Sequence, residues 1–245
     1  MNVDKIESYV FDNSVHKSLF KLANNKVIES IDSPIASGKE AITFLAHNIE
    51  NNIVAKIYKI ETSNFKHLNK YIIGDPRFKN IKKDRRDIFM IWASKEYRNL
   101  NLLLQNKVSA PMPIAIEKNI LIMSFIGEDG IAHPRLTNFK FDLDIVYPQI
   151  IENYAKMLYR ANLVHADFSA YNILIDPKTQ KIYIIDVGQS VLINHPQAQA
   201  FLKRDIINIV DFINKKNKKA NLTYDQFLAD LKTKKAELYG WNFKN

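Results

Sequence analysis

The sequence predicts an α+β fold in which a strand-rich first part is followed by a mostly helical second part. Short segments that are rich in β-branched and apolar residues and bounded by polar ones are typical of strands. Five such segments occur, at residues 27–33, 41–47, 53–58, 114–116 and 120–125. Apolar residues recur at helical spacing in five others, at residues 4–23, 88–105, 148–161, 196–214 and 223–238. Thr223, at the start of the last of these, is predicted to be its N-cap. At 245 residues the chain can form one large domain or two small lobes.

Composition narrows the class of protein. The absence of cysteine excludes disulfides, thiolate zinc sites and a cysteine nucleophile. The N-terminus has early acidic residues and no apolar core, and no apolar run approaches the roughly 20 residues of a membrane span. We therefore expect a cytoplasmic protein that has no membrane partner. The net charge of +9 favours anionic partners such as a nucleotide or RNA, although a lysine-rich solvated surface would give the same value.

The stretch from His165 to Asn172 carries the strongest chemical signal. It reads His-Ala-Asp-Phe-Ser-Ala-Tyr-Asn, which matches H-x-D-x-x-x-x-N, and residues 186–188 follow it as D-x-G. Phosphoryl transfer from ATP needs a carboxylate near the acceptor hydroxyl, ligands for magnesium and positioned positive charge. The patterns predict that Asp167 orients or deprotonates the acceptor and that Asn172 and Asp186 hold Mg²⁺. A different metal site at His165 and Asp167 lacks further ligands at a sensible spacing.

A glycine-bearing turn at residues 34–40 separates the first two predicted strands. Such a turn can place backbone N–H groups and the hydroxyl of Ser37 against phosphates, with Gly38 and Lys39 beside them. It is not a Walker P-loop, because that pattern requires glycine at position 33, Ser or Thr at position 40, and a following helix. An ordinary hairpin glycine at Gly38 is the alternative interpretation.

Lys56 lies between apolar residues on the third predicted strand. A buried ammonium group is costly unless it meets a fixed anion. In kinases a lysine on the third strand contacts the ATP phosphates and an acidic residue of a helix. Glu96, in the middle of the helix predicted at residues 88–105, is the natural partner. The alternatives are a lysine at a strand edge and a surface pair between Glu96 and a neighbouring cation, worth only about 0–1 kcal/mol.

Two basic stretches indicate further contacts with anionic partners. Residues 61–87 contain more Lys and Arg than Asp and Glu, with interleaved aromatic residues. They predict a mobile basic insertion that contacts ATP, a protein substrate or RNA, or else a solvated surface loop. The lysine-rich run at residues 215–219 is either a solvated connection between helices or a contact with nucleic acid.

Taken together, these motifs resemble the RIO family of atypical serine kinases, and most closely its first, archaeal-like subtype. The resemblance covers nearly the whole chain. The segments that carry it are SGKEA at 37–41, GDPRF at 74–78, WASKEYRNL at 92–100, MSFIG at 123–127, HADFSAYN at 165–172, DVGQSV at 186–191 and HP at 195–196.

The resemblance implies a trimmed, two-lobed protein-kinase-like fold that lacks the activation segment and the peptide-docking subdomain. We expect an N-terminal helical extension at residues 1–24. An N-lobe at residues 25–125 would contain the sheet, a helix and the basic loop at 61–87, and a C-lobe at residues 126–245 would hold the catalytic and metal loops. Only 57 residues follow Gly188, which leaves little room for a peptide-docking subdomain and favours a target supplied by a partner or by the chain itself.

The resemblance also assigns roles to individual residues. Asp167 would be the catalytic aspartate, while Asp186 would hold Mg²⁺ with Asn172 and could also accept phosphate in an ATPase-like cycle. The residues that would bind ATP are Ser37, Gly38, Lys39, Lys56 and Glu96 near the phosphates and the backbones of Ser124 and Ile126 near adenine. The expected cofactors are ATP and Mg²⁺, and Mn²⁺ is expected to be able to replace Mg²⁺.

The function predicted on this basis is that of an ATP- and Mg²⁺-dependent serine kinase or ATPase that serves maturation of the small ribosomal subunit. Its partner would be that subunit or its precursor RNA. Two other functions remain open. One is a small-molecule phosphotransferase of the aminoglycoside-kinase sort, which shares the catalytic pattern but would need an acidic pocket for a cationic acceptor. The other is a nucleotide-gated module that binds pre-ribosomal RNA and releases it after hydrolysis.

Overall fold

The computed structural model describes residues 12–59, 70–78 and 85–240. The chain forms two compact units, Met1–Arg98 with Pro111–Ala132 and Asn99–Ala110 with His133–Asn245. The first unit therefore extends beyond the predicted boundary at residue 125, and a short segment from the first half of the sequence belongs to the second unit. The predicted helix at residues 4–23 and the basic stretch at 61–87 lie partly outside the described residues.

A five-stranded antiparallel sheet in the order β1-β2-β3-β5-β4 dominates the first unit. Its strands are β1 (Ser30–Ser37), β2 (Ala41–His47), β3 (Asn52–Tyr58), β4 (Pro113–Glu117) and β5 (Ile120–Ser124). Helix α1 (Asn13–Asn24) packs its buried Val15 and Leu22 into the same apolar core as the central strands. Asp12 begins the helix, because its Oδ1 accepts hydrogen bonds from the backbone nitrogens of Ser14 and Val15 at 2.9 and 2.8 Å.

Strand β1 differs from the prediction, which placed a strand at residues 27–33 and a turn from residue 34 onward. In the structure the strand continues through Pro34 to Ser37, and register shifts flank the proline. Proline cannot donate to a strand ladder and is therefore confined to edges and irregular positions. β1 is an edge strand, so it tolerates Pro34, and only a short turn around Gly38 joins it to β2.

The one long helix of the central region, α2 (Arg85–Gln105), starts in the first unit and ends in the second. The described part of the second unit contains three more long helices, α3 (Leu143–Ala155), α4 (Ala198–Lys216) and α5 (Tyr224–Leu238). Thr223 was predicted as an N-cap, and its Oγ1 accepts a hydrogen bond from the backbone nitrogen of Gln226 at 3.1 Å, which confirms that prediction. Among the described residues, no helix has a stretch long and apolar enough to cross a membrane.

Helix α3 begins earlier than predicted. The prediction started it at Pro148, whereas the carboxylate of Asp142 caps it through the backbone nitrogen of Asp144 at 2.9 Å. Pro148 therefore lies inside the helix and not in its first turn. After Ala155 the helix continues as a wider π-helical turn, Lys156–Arg160, which leads into the catalytic stretch.

Two pairs of short strands frame the predicted catalytic motifs. β8 (Leu163–Val164) pairs with β11 (Val191–Leu192), and β9 (Ile173–Ile175) pairs with β10 (Ile182–Ile184). A smaller pair, β6 (Gly127–Glu128) with β7 (Ile131–Ala132), belongs to the first unit. The loop from β8 to β9 contains the H-x-D-x-x-x-x-N motif, and the loop from β10 to β11 contains the D-x-G motif. Because β8 pairs with β11 and β9 pairs with β10, the loop from β8 to β9 and the loop from β10 to β11 lie at the same end of the two strand pairs.

Candidate active site

The catalytic loop places Asp167 next to Asn172. Nδ2 of Asn172 lies 3.1 Å from Oδ2 of Asp167 and 2.9 Å from the backbone oxygen of the same residue. Asp167 is half-buried, and Asn172 lies in a short 3₁₀ turn, Ala170–Asn172, that follows it. The amide of Asn172 therefore holds Oδ2 of Asp167, whereas Oδ1 receives no hydrogen bond from this amide.

Asp186 follows β10 in a left-handed backbone conformation, with φ 59° and ψ 55°. Its side chain is exposed, whereas the two residues after it are buried. Burial raises the pKa of Asp167, and the negative charge of Asp186 raises it further, against a lowering by the His165 ring and the Asn172 hydrogen bond. The two carboxylates therefore influence each other, as expected for groups that would share one Mg²⁺.

Ile185 joins the two loops through its backbone. Its nitrogen donates to the backbone oxygen of Asn172 at 3.0 Å, and its carbonyl oxygen lies 3.1 Å from Nε2 of His165. Since a carbonyl oxygen can only accept, Nε2 of His165 carries the proton in this contact. The histidine of the motif is fully buried and packs its ring against Phe168, so it supports the loop and does not face solvent.

Asp205 on α4 was missed by the sequence analysis. Its buried carboxylate accepts hydrogen bonds from the backbone nitrogens of Ala166 and Phe168 at 2.8 and 3.0 Å and from the hydroxyl of Tyr154 at 2.8 Å. Burial raises the pKa of Asp205, and the nearby His165 ring and these hydrogen bonds oppose that rise. The bonded nitrogens flank Asp167 in the chain, so Asp205 holds the backbone that presents the predicted catalytic carboxylate.

Asn99 on α2 has a comparable role at the D-x-G turn and was also missed. Its buried Nδ2 donates to the carbonyl oxygens of Val187 and Ser190 at 2.7 and 3.1 Å. The 3₁₀ turn Val187–Gln189 that follows Asp186 is thereby fixed to the helix. No local pattern marks either Asn99 or Asp205, because each acts on backbone atoms far away in sequence.

The donor set at these loops fits magnesium. Mg²⁺ binds oxygen ligands, keeps several waters and commonly uses only one or two carboxylates from the protein. Asp186 offers an exposed carboxylate, and Asn172 offers an amide oxygen on the loop bonded to Ile185. Among the described residues, no group of three or more His, Asp or Glu side chains could hold a metal by itself.

In the first unit, Lys56 and Glu96 form a buried ion pair. Nζ of Lys56 lies 2.9 Å from Oε1 and 2.8 Å from Oε2 of Glu96, whose side chain is only 1% exposed. The hydroxyl of Tyr58, two residues along β3, also donates to Oε2. The pairing predicted from the sequence is confirmed, and Tyr58 is a third member that the sequence analysis did not include.

The turn after β1 leaves Ser37, Gly38 and Lys39 exposed. The backbone nitrogen of Gly38 donates to the carbonyl oxygen of Ala41 at 2.9 Å, and its own carbonyl oxygen accepts from Nζ of Lys59 at 2.8 Å. An added Cβ at Gly38 would meet only an ordinary contact, 3.5 Å from Ala41 O. The packing of the turn itself therefore does not require glycine at position 38.

At the end of β5, Ser124 is tied to the segment that precedes β4. Its backbone nitrogen donates to the carbonyl oxygen of Met112 at 2.8 Å, and its Oγ accepts from the nitrogen of Met112 at 2.8 Å. The N–H of Ser124 is therefore engaged within the protein. Gly127, just after Ile126, cannot be replaced, because a Cβ there would lie 2.3 Å from the carbonyl oxygen of Ile131.

Of the basic stretch at 61–87, residues 70–78 show an internally paired arginine. Nε and Nη2 of Arg77 lie 2.9 and 2.7 Å from the two carboxylate oxygens of Asp75, which is almost fully buried. Hydrogen bonds from Arg77 hold the pKa of Asp75 below its usual range, although burial acts in the opposite direction. Arg77 therefore forms an ion pair with Asp75 within the folded segment at residues 70–78.

Residues 41–227 match the RIO domain family, which is most of the chain. The chain belongs to the RIO family. The predicted resemblance is confirmed, and with it the assignment to the serine/threonine-protein kinases, which are ATP-binding transferases.

Curated relatives of this RIO chain include archaeal and animal kinases. It is 34% identical to the RIO-type serine/threonine-protein kinase Rio1 of Haloferax volcanii over 89% of its length and 74% of the relative. It is 39% identical to Rio1 of Methanocaldococcus jannaschii with the same two coverages. The serine/threonine-protein kinase RIO3 of Caenorhabditis elegans is 36% identical, but the chain spans only 43% of that protein.

Solved structures support the predicted fold class. A crystal structure of the Rio2 kinase from Chaetomium thermophilum, described as an ADP/Mg²⁺-phosphoaspartate complex, aligns over 96% of this chain and 73% of its own with a TM-score of 0.67. A second structure of the same kinase gives a TM-score of 0.65. The sequence identities are 20% and 22%, so the likeness is one of fold, and it confirms the α+β, trimmed kinase-like architecture.

In this RIO kinase the predicted site residues fall into two sets, each described within its own unit. The set near the predicted ATP phosphates and adenine lies in the first unit: Ser37, Gly38, Lys39, Lys56, Glu96, Ser124 and Ile126. The catalytic and metal set, Asp167, Asn172 and Asp186, lies in the second. Their roles in catalysis and binding stay predictions.

Proposed function

We propose that this RIO kinase is an ATP- and Mg²⁺-dependent serine kinase or ATPase that acts in maturation of the small ribosomal subunit. The observation that carries the chemical part is the arrangement of Asp167 and Asn172. A carboxylate fixed on one side by an amide, on a loop held by a buried aspartate, is suited to orient an acceptor hydroxyl.

In the transfer to serine, the acceptor oxygen attacks the γ-phosphorus of ATP, the bond from that phosphorus to the β–γ bridging oxygen breaks, and ADP leaves. Asp167 orients the hydroxyl and takes its proton. When bound, Mg²⁺ neutralises the charge that develops on the phosphate oxygens. Asp186 and Asn172 would hold it, and they lie on loops joined through the backbone of Ile185.

Lys56 supplies positive charge toward the phosphates. Its ammonium group is held by Glu96, so the lysine enters the reaction in one orientation. The exposed turn supplies the hydroxyl of Ser37 and the ammonium group of Lys39 for the same end of ATP, whereas the N–H of Gly38 is already engaged with the carbonyl oxygen of Ala41. The carbonyl of Ser124 and the backbone of Ile126 would contact adenine, since the N–H of Ser124 is already engaged with Met112.

An ATPase-like cycle uses the same residues differently. In it a carboxylate oxygen of Asp186 attacks the γ-phosphorus, ADP leaves, and water then cleaves the phosphoaspartate to release phosphate. The exposed position of Asp186 supports this route, and the Chaetomium thermophilum Rio2 structure is described with a phosphoaspartate. Mn²⁺ is expected to substitute for Mg²⁺ in either reaction, because both ions prefer oxygen ligands.

The ribosomal partner rests on two arguments of a different kind. The family resemblance points to the small ribosomal subunit or its precursor RNA, and the net charge of +9 favours a polyanion over a cationic small molecule. A cytoplasmic location follows from the same proposal. A small-molecule phosphotransferase would need an acidic acceptor pocket, and no observation on the described residues favours one.

The test incubates purified protein with γ-labelled ATP and Mg²⁺, alone and with small ribosomal subunits, and follows both labelled protein and free phosphate. Asp167→Ala should keep ATP binding but lose about 10²–10⁴-fold in turnover, since that is the usual contribution of a general base. The control is Asp211→Asn, which changes an exposed aspartate on α4 and should leave ATP binding and turnover as in the wild type.

Acid-stable label on serine would support the kinase, and phosphate release stimulated by subunits without stable label would support the ATPase. Normal turnover in Asp167→Ala would overturn the assignment of the catalytic aspartate. Neither signal from protein shown to bind ATP would overturn the proposed activity and leave the small-molecule phosphotransferase and the nucleotide-gated RNA module. Binding of RNA that changes with the bound nucleotide would then select the module.

A further inference from the structure

A cavity in the second unit lies apart in sequence from the catalytic and metal loops. It has a volume of about 310 Å³ and is formed by the segment before α3 and by the end of α4. Its lining includes two phenylalanines, two lysines and two asparagines: Phe139, Phe141, Lys140, Lys216, Asn138 and Asn217. The volume falls at the small end of the usual range for ligand sites, roughly 300–1,000 Å³.

The aromatic floor of this cavity is rigidly supported. The ring of Phe141 stacks on that of Phe212 of α4, with centroids 6.1 Å apart and planes inclined by 22°. Nζ of Lys216 lies 5.9 Å from the centroid of Phe212 and donates to the carbonyl oxygen of Thr137 at 3.0 Å. Lys216 and the Phe141–Phe212 pair thus connect the segment before α3 to the end of α4. Phe139 and Phe141, which line the cavity, are half-exposed.

Lysines are concentrated in the two chain segments that line the cavity. Lys140 is exposed at one side, and the exposed lysines 215, 216, 218 and 219 follow at the end of α4. The acidic residues nearest in sequence are Asp142, which caps α3, Asp144 and Asp211, so lysines exceed carboxylates in these segments. The backbone nitrogen of Lys219 donates to Oδ1 of Asn217 at 3.1 Å, which orders the turn that carries the last two lysines.

We propose that this cavity binds an unpaired base of a single-stranded nucleic acid. Proteins that bind single strands combine aromatic side chains, on which bases stack, with lysines and arginines that follow the backbone phosphates. Here the rings of Phe139 and Phe141 that line the cavity would stack with the base, the asparagine amides would contact its polar edge, and Lys140 with the lysine run would meet the flanking phosphates. An acidic peptide would use the lysines but would have no need of a flat aromatic pocket.

The site goes beyond the proposed catalytic function, because none of its residues belongs to the ATP or metal sets. It gives the run at residues 215–219 a specific partner, whereas the sequence left that run open between a solvated connection and a contact with nucleic acid. The proposal does not require the partner to be ribosomal.

The test measures binding of a short fluorescein-labelled single-stranded RNA of mixed sequence to the full chain by fluorescence anisotropy. Phe141→Leu keeps an apolar side chain but removes the ring, and it should weaken binding about 5- to 150-fold, the range that loss of one base stack produces. Lys140→Gln should weaken binding and lower the slope of log Kd against log salt by roughly 0.7, as expected for one lost phosphate contact.

Lys203→Gln is the matched control for Lys140→Gln. Lys203 is exposed and lies about 20 Å from Lys216 along α4, so it should bind RNA like the wild type. Melting temperatures of all variants show whether the fold is intact, and a second aromatic variant, Phe141→Tyr, should restore binding lost in Phe141→Leu.

Three results would overturn the proposal: wild-type affinity in Phe141→Leu, an equal loss in Lys140→Gln and Lys203→Gln, or binding of duplex RNA as tight as that of the single strand. A labelled acidic peptide that binds at the same affinity would also overturn it. ATP turnover is measured on the same samples, so failure of RNA binding with normal turnover, or the reverse, separates this proposal from the proposed catalytic function.

Discussion

Oδ2 of Asp205 lies 2.8 Å from the backbone nitrogen of Ala166, a residue that adopts a left-handed backbone conformation with φ 66°. Residues with a Cβ rarely take this conformation, and such strain persists only where the surroundings enforce it. Ala166 precedes the predicted catalytic aspartate. The carboxylate of Asp205, together with Nη2 of Arg204 on the carbonyl oxygen of Ala166, therefore holds a strained turn that aims Asp167.

The first prediction concerns Asp205→Asn. The carboxylate uses both oxygens to accept from two backbone nitrogens and a tyrosine hydroxyl, whereas an asparagine offers only one acceptor oxygen. At least one buried donor would lose its partner, so we expect a loss of roughly 1–3 kcal/mol in the free energy of unfolding. Turnover should fall more than ATP affinity. Denaturant unfolding and steady-state kinetics measure the two effects.

Asp211→Asn is the control for Asp205→Asn, since both lie on α4 and only Asp205 is buried. The exposed substitution should change stability by no more than about 0.5 kcal/mol. If Asp205→Asn kept both the stability and the turnover of the wild type, the carboxylate would not support the catalytic loop.

Asp205 also marks the limit of what the sequence could predict. The motif residues Asp167, Asn172 and Asp186 are recognisable because their spacing is fixed by two short loops. Asp205 occupies a buried position in an ordinary amphipathic helix, and its partners lie 37 to 51 residues away in the chain. Only the packing of α4 against the loop, which the sequence does not encode locally, brings them together.

Element boundaries show the same distinction between local and tertiary signals. The central strands β2 and β3 and the cap at Thr223 follow local patterns and were predicted closely. The first strand was predicted to end at residue 33 because residues 34–40 were interpreted as a glycine-bearing turn. The sheet order shows that β1 is an edge strand, where Pro34 is tolerated. α3 was started too late because its cap, Asp142, precedes the apolar stripe, and Pro148 was taken as a first-turn residue.

A second prediction concerns Asn99→Ala. This substitution removes the donor that holds the carbonyl oxygens of Val187 and Ser190, next to the predicted metal ligand Asp186. Two buried acceptors would lose a partner, so stability should fall by roughly 1–3 kcal/mol. The Mg²⁺ concentration that gives half-maximal turnover should rise, because the turn that carries Asp186 is no longer fixed.

The control for Asn99→Ala is Gln105→Ala, an exposed position on the same helix. It should leave both the unfolding curve and the Mg²⁺ titration unchanged. A stable Asn99→Ala protein with an unaltered Mg²⁺ titration would separate this asparagine from the metal site.

A third prediction separates the buried pair Lys56–Glu96 from surface pairs. Lys56→Met and Glu96→Leu each leave one charge buried without its partner, which typically costs about 3–5 kcal/mol. The double variant removes both charges, so its loss should be clearly smaller than the sum of the single losses. Denaturant unfolding of the four proteins gives the coupling free energy directly.

The pair Lys234–Glu237 on α5 provides a matched reference. Its atoms are 2.5 Å apart, but the side chains are 29% and 58% exposed, so its coupling should be only about 0–1 kcal/mol. Equal coupling at the two pairs would contradict the view that burial makes the Lys56 pair strong. The additional variant Tyr58→Phe removes one hydrogen bond to Glu96, and it should weaken ATP affinity more than turnover if Glu96 positions Lys56.

The fourth prediction follows from the raised pKa of Asp167. Burial is the main cause and the charge of Asp186 adds to it, so the folded protein binds a proton at Asp167 more readily than the unfolded chain does. The ionised carboxylate therefore costs stability at neutral pH. That cost diminishes as the pH falls through the raised pKa, and it is gone below the ordinary value of 3.8. Activity, which needs the ionised form, should fall over the same acidic range.

Asp167→Asn tests this sign. An amide oxygen can still accept from Asn172, but it carries no charge. The variant should therefore lose about 10²–10⁴-fold in turnover, yet be more stable than the wild type at pH 7. Its advantage should shrink as the pH is lowered, which unfolding curves across an acidic pH series would measure. In Asp186→Asn, carboxyl-carbon NMR should give a lower pKa for Asp167 than in the wild type, because a like charge has been removed. An unchanged pKa of Asp167 in Asp186→Asn would mean that the two aspartates do not share a site. If the stability difference between Asp167→Asn and the wild type were the same at all pH values, the buried charge of Asp167 would not be the cause of that difference.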